Sequence, residues 1–131
     1  MNRTLIRMAV AAVWLYQGLW CKLLGGAGRH AEIVGSVPWL GAAAAHGLLL
    51  AIGAAECALA VWAVSGIRLR EAAVAQTLML AAMNGGALLW AGRLIADPAA
   101  MLLQNFAFLL LAWVAAEECG RSAPGTLHAC D

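Results

Sequence analysis

The chain has 131 residues, of which 64% are hydrophobic and 11% charged, and its mean hydropathy is +0.83. A soluble domain of this size carries far more charge, and a net charge of +1 with no clustered basic face excludes a nucleic-acid surface. The class that remains is an all-α integral membrane protein in direct contact with the lipid bilayer.

Four apolar segments, about 4–24, 39–64, 71–91 and 98–116, each reach the roughly 17–25 residues that a spanning helix needs. The first follows Arg3 and Arg7 and closes on Tyr16, Gln17, Trp20 and Lys22, side chains typical of a membrane interface. A basic start before an apolar run also fits a signal peptide. This run is longer than a signal core and ends in an interface boundary, so it is expected to stay as a span. Gly25-Gly26-Ala27-Gly28 ends it, and Arg29 to Val34 reads as a short amphipathic turn on the outer surface. Pro38 is expected to start the second span and Ser65-Gly66 to end it. Arg68 to Glu71 makes a tight charged turn, and Asp97-Pro98 pairs an N-cap acid with proline at the first helical position of the fourth span. Short links predict an antiparallel four-helix bundle, up-down-up-down, with neighbours in sequence order. The expected organisation is one transmembrane domain over 1–118 and a short C-terminal tail over 119–131.

Charge placement sets the orientation. With the N-terminus inside, Arg3, Arg7, Arg68, Arg70 and Arg121 lie inside against Lys22, Arg29 and Arg93 outside, five against three. That bias puts both termini in the cytoplasm, with a bacterial inner membrane as the expected location. The chain holds 14 glycines and many alanines, which let membrane helices approach closely where lipid offers no hydrophobic reward for association. Trp14, Trp20, Trp39, Trp62, Trp90 and Trp113 fall mostly near span ends and read as interface anchors.

Glu56, within the apolar stretch Gly53 to Trp62, is the residue that needs a reason. A charge near the middle of a membrane helix costs about 2.5–3.5 kcal/mol on insertion scales, so such groups face an interior, pair, or hold a proton. Unless Lys, Arg or His⁺ compensates, desolvation is expected to keep Glu56 protonated at neutral pH, making it a candidate proton carrier. At 1.5 Å per residue it lies about 7 Å to the cytoplasmic side of the 39–64 midpoint, level with Gln76 and Thr77, which can meet it. Tyr16, Gln17, His46 and Asn84 form an outer layer, with Gln104 and Asn105 near the middle of the fourth helix. Thr77 and Asn84, seven residues apart, point within about 20° of each other, whereas Gln76 is turned away. As packing glue, each amide contributes only about 0.6 kcal/mol.

Cys21, Cys57, Cys119 and Cys130 show no C-x-x-C spacing, so neither a disulfide framework nor a metal site is expected. A haem held by two histidines requires His30 to fold inward beside His46. Phosphate-loop, nucleophile-elbow and metalloprotease motifs do not occur in the sequence.

Trp14-Leu15-Tyr16-Gln17-Gly18-Leu19-Trp20-Cys21-Lys22-Leu23-Leu24, Gly53-Ala54-Ala55-Glu56, Met83-Asn84-Gly85, and Asp97-Pro98 to Gln104-Asn105 together resemble the DoxX-like membrane proteins. The most specific parts are Tyr16, Gly18 and Lys22 in the first helix and Gly53 and Glu56 in the second. The resemblance implies a compact four-helix membrane protein similar to the small membrane subunit of a thiosulfate:quinone oxidoreductase. That suggests an accessory or quinone-facing role rather than a complete enzyme. In this reading Glu56 carries protons, and Tyr16, Gln17, Lys22, His46, Gln76, Thr77, Asn84 and Asn105 are the candidate binding residues. The partners are then a soluble or membrane redox enzyme and further copies of the chain. The alternatives are a small proton-linked carrier or channel, and a purely structural membrane partner whose polar residues fix helix register.

Overall fold

The computed structural model describes residues 2–26 and 28–120. Helix α1 (Arg3–Leu15) starts where Asn2 accepts a hydrogen bond from the Thr4 amide, and it continues without a break into a π-helical segment, Tyr16–Leu23. Helices α2 (Gly28–Gly35), α3 (Ala42–Ser65), α4 (Leu69–Ala91, extended by a 3₁₀ turn Gly92–Leu94) and α5 (Pro98–Gly120) follow. The protein is all-α. Thr4–Leu23, Ala42–Ser65, Leu69–Leu94 and Pro98–Glu117 are long and apolar enough to cross a membrane. Successive spans pack on each other and α5 returns to α1, which closes a four-helix bundle in sequence order. Beyond Gly120, the expected tail lies outside the described residues, as do Arg121, His128 and Cys130.

Two boundaries depart from the sequence expectation. Pro38 does not open the second span: Val37 to Leu40 is a turn closed by a 3.1 Å bond from the Leu40 amide to the Val37 carbonyl, with proline at its second position. Gly41 is still extended, so α3 begins at Ala42 rather than Trp39. The Arg29–Val34 stretch is a two-turn helix, α2, which packs on α3, α4 and the π segment. The remaining punctuation behaves as its chemistry dictates. Gly25 (φ +69°) ends the first span in the left-handed conformation, with the Gly26 amide bonding back to the Trp20 carbonyl. Asp97 accepts from the Ala100 amide at 2.9 Å as the N-cap of α5.

Arg7 fastens the start of α1 to the end of α3. Its guanidinium donates to the carbonyls of Ala63 and Val64, the free acceptors that any helix leaves at its C-terminus. Gly66 takes a left-handed φ of +75° there, and a Cβ on it would lie 2.6 Å from the Arg7 guanidinium. Only glycine meets both demands.

The core cluster draws Ile6, Val10, Ala11 and Trp14 from α1, Leu59, Ala60 and Ala63 from α3, Leu80 from α4, and Ala112 and Ala115 from α5. All of these lie in the half of the bundle that holds Arg7 and the α3–α4 link, called the lower half below. Trp14 is at its centre, only 2% exposed, which corrects the expectation that it anchors at the interface. It sits near the middle of its span on the inward face, packs edge-to-face on Phe108 at 5.5 Å, and donates its indole N–H to Gln76 at 2.9 Å. Trp39 and Trp90 are exposed and meet each other edge-to-face at 5.4 Å. In a detergent unfolding titration, Trp14→Ala should cost about 3–5 kcal/mol, as for a large buried aromatic. Trp90→Ala should cost less than about 1.5 kcal/mol, the worth of an aromatic pair.

Candidate functional site

The site begins with two glycines. A Cβ on Gly18 would stand 2.6 Å from the Gly53 carbonyl oxygen and 2.9 Å from the Cβ of Glu56; one on Gly53 would meet the Gly18 carbonyl oxygen and the Cβ of Lys22 at 3.1 Å. The π segment and α3 therefore touch backbone to backbone, which small residues alone permit in a membrane. Each glycine makes room for the charged residue of the opposite helix. Gly18 and Lys22 on one side interlock with Gly53 and Glu56 on the other.

Within this contact the Lys22 ammonium lies 2.8 Å from both carboxylate oxygens of Glu56, and 3.4 Å from the Gln17 carbonyl. Three donors meet three acceptors, so the ammonium is fully used. Both residues are buried, 4% and 1% exposed. With α3 running from Ala42 to Ser65, Glu56 is about 4 Å from the helix centre rather than 7 Å. Desolvation penalises each charge severely, and only a close, well hydrogen-bonded contact offsets it. The expectation of a protonated Glu56 was conditional on no cation reaching it. Lys22 does reach it, because its four-carbon stem folds inward from the end of the first span.

Gln76 and Thr77 do not meet Glu56. Gln76 accepts from Trp14, while the Thr77 hydroxyl donates to the Ala73 carbonyl at 2.8 Å and accepts from the Trp113 indole at 3.2 Å. Asn105 donates to Asn84 at 2.8 Å, joining α5 to α4. Thr77 and Asn84 thus share the α5-facing side, as their seven-residue spacing predicts, and Gln76 faces α1. Tyr16, His46 and Gln104 are exposed, and Gln17 is half-buried, contributing its carbonyl to Lys22. The polar residues form separate pairs, not one pool. Sequence reasoning missed the Lys22–Glu56 contact because Lys22 was counted among the outer interface cations. The available signal was the pair of glycines, four residues before Lys22 and three before Glu56.

Cys21 is buried and Cys57 half-buried, both as free thiols. Among the described residues no cluster of three metal-ligating side chains occurs. Chemically, the arrangement holds one ion pair with a shared, exchangeable proton inside the bilayer, and hydrogen-bonding amides elsewhere.

A family model described as the DoxX-like family matches residues 11–113, from α1 through the π segment and its interlock with α3 to Trp113 of α5. The chain belongs to the DoxX-like family. It is a small integral membrane protein. No curated protein and no solved structure matches it.

Two sets of variants test this DoxX-like site. Gly18→Ala should lose about 1–3 kcal/mol because backbone must move, whereas Gly47→Ala, with open space around it, should gain about 0.5–1 kcal/mol from helix propensity. Lys22→Met alone should cost about 3–5 kcal/mol by leaving a buried acid unpaired, and adding Glu56→Gln should restore most of that loss. Unfolding titrations on the four variants give both comparisons.

Proposed function

We propose that this protein is an accessory membrane subunit, or anchor, of a redox system in a bacterial inner membrane, facing the quinone pool and passing protons through the Lys22–Glu56 pair. The carrying observation is the pair itself: two charges held about 4 Å from the middle of a span, where each is costly unless the protein uses it. Quinone reduction takes protons as well as electrons, and a carboxylate sharing protons with an ammonium is a suitable local store. Resemblance to the small subunit of a thiosulfate:quinone oxidoreductase supports the accessory role, with a redox enzyme as partner and with further copies of the chain as possible neighbours in the membrane. Both termini are assigned to the cytoplasm. With Lys22 paired inside the bundle, the sequence bias becomes five cations against two, which strengthens that assignment.

A structural role for the pair is the second reading, favoured by the complete use of the Lys22 donors. The Lys22→Met/Glu56→Gln double variant separates the two, because it is expected to fold while holding no exchangeable proton. Wild type purified in mild detergent should bring a redox protein or a quinone with it, identified by native mass spectrometry and lipid extraction. The double variant should retain the partner and lose at least tenfold in quinone-linked turnover of the assembled complex. A wild type that arrives with neither companion, or a double variant with undiminished turnover, sinks the redox reading.

A further inference from the structure

Above the core cluster, in the half of the bundle that holds α2, the inward faces of α4 and α5 lose their cover. On α4, Leu80 is buried and Ala91 is buried, but Met83, Asn84 and Ala87 between them are only half-buried. On α5, Ala112, Ala115 and Ala116 are buried, whereas Met101, Asn105 and Phe108 are half-buried and nothing from Pro98 to Leu111 is buried. These are not lipid-facing positions. Asn84 is seven residues from buried Ala91, and Asn105 is seven from buried Ala112, so each points within about 20° of a residue the bundle encloses. A gap therefore lies between the helices there. Phe108, edge-to-face with Trp14, forms its floor.

The gap opens sideways. The π segment packs on α3 and α2 packs on α3 and α4, while α5 packs on α1 and α4. The interlock of Gly18 with Gly53 draws the π segment toward α3, leaving the upper part of α5 beside open space that faces the bilayer.

The gap also carries hydrogen-bonding capacity that the protein leaves unused. The bond from Asn105 Nδ2 to Asn84 Oδ1 leaves Asn84 Nδ2 as a donor and Asn105 Oδ1 as an acceptor. Neither has a partner among the described residues and neither is sealed from its surroundings. Turning both amides over exchanges the roles but still leaves one donor beside one acceptor. In the hydrocarbon region water is scarce and lipid chains satisfy neither.

We infer that this lateral cleft binds a lipid-dissolved phenolic molecule of the hydroquinone type, whose hydroxyl accepts from Asn84 and donates to Asn105 while its ring lies against Phe108, Met83 and Met101. One hydroxyl is both donor and acceptor and so completes the amide pair, whereas a quinone carbonyl only accepts and leaves Asn105 Oδ1 unpaired. The flat aromatic body suits a pocket of one phenyl and two thioether side chains. This rests on the quinone-facing reading above and deepens it: the membrane-soluble reactant binds at Asn84–Asn105, apart from the Lys22–Glu56 pair, and its reduced form is preferred.

The test is a titration of full-length protein in phosphatidylcholine nanodiscs with a short-chain alkyl hydroquinone and with its quinone, read by quenching of tryptophan fluorescence. Saturable hydroquinone binding is expected, at least fivefold tighter than the quinone. It should weaken at least tenfold in Asn84→Leu/Asn105→Leu and stay within twofold in Lys22→Met/Glu56→Gln. Asn105→Asp, which keeps the acceptor and the volume, should retain the hydroquinone preference if the leucine pair proves unstable. Binding that survives both asparagine substitutions but is lost in the Lys22/Glu56 variant overturns the assignment of the cleft and leaves the quinone-facing role standing. Quinone bound as tightly as hydroquinone overturns the hydroxyl match. Absence of saturable binding by either form overturns the inference, and the accessory role is then judged by its partner and turnover alone.

Discussion

The buried contact between Lys22 and Glu56 is the constraint around which the bundle is arranged. Two charges inside a membrane protein hold together only if nothing else competes for them and the helices are close enough to keep them in contact. Gly18 and Gly53 supply that closeness, since a single methyl group at either position would press on the opposite backbone carbonyl. The ion pair and the glycine contact are one unit. Without the close approach the carboxylate is stranded, and without the charges neither glycine has a neighbour that needs its space.

The same pair of helices is fastened a second time at the opposite end, where Arg7 caps the free carbonyls at the end of α3. These two fixed points set the relation of the first span to α3 along most of its length. Between them Trp14 reaches across to Gln76 on α4, and through Phe108 to α5, so one aromatic side chain links three helices. The lower half is accordingly a filled core. The upper half has a different character, because the π segment is committed to α3 and α5 has only α4 beside it there. That asymmetry places the proton-bearing pair and the amide pair on different sides of the interior.

For function, the separation has a simple consequence. A membrane-soluble reactant and a proton store need not share a pocket: a reactant is recognised by matching donors and acceptors at an accessible face, while a proton store is best kept where water does not reach it. Asn84–Asn105 has the first property and Lys22–Glu56 the second. Members of a family with a compact four-helix frame can retain the second and vary the first through a few side chains on α4 and α5.

Much of the fold was legible in the residues. Apolar segment length gave four spans, Gly25, Ser65-Gly66 and Asp97-Pro98 marked their ends, and short links gave the order of packing. Thr77 and Asn84 were correctly put on one face by spacing alone. Pro38 misled, because proline suits the second position of a turn as well as the first turn of a helix, and only the Val37–Leu40 hydrogen bond distinguishes them. Trp14 misled because an indole is equally at home at an interface or, with a partner for its N–H, in a core. The Glu56 site was visible as an acid in an apolar run, but its partner was not: a lysine near the end of a span can extend outward to water or inward, and the choice depends on a carboxylate contributed by another helix. What the sequence by itself determined is what local chemistry decides, namely hydrophobic length, helix ends and the presence of a costly buried charge. What only the tertiary structure decided is which groups meet, because pairing across helices depends on how closely Gly18 and Gly53 let two backbones approach, and that distance belongs to both helices at once.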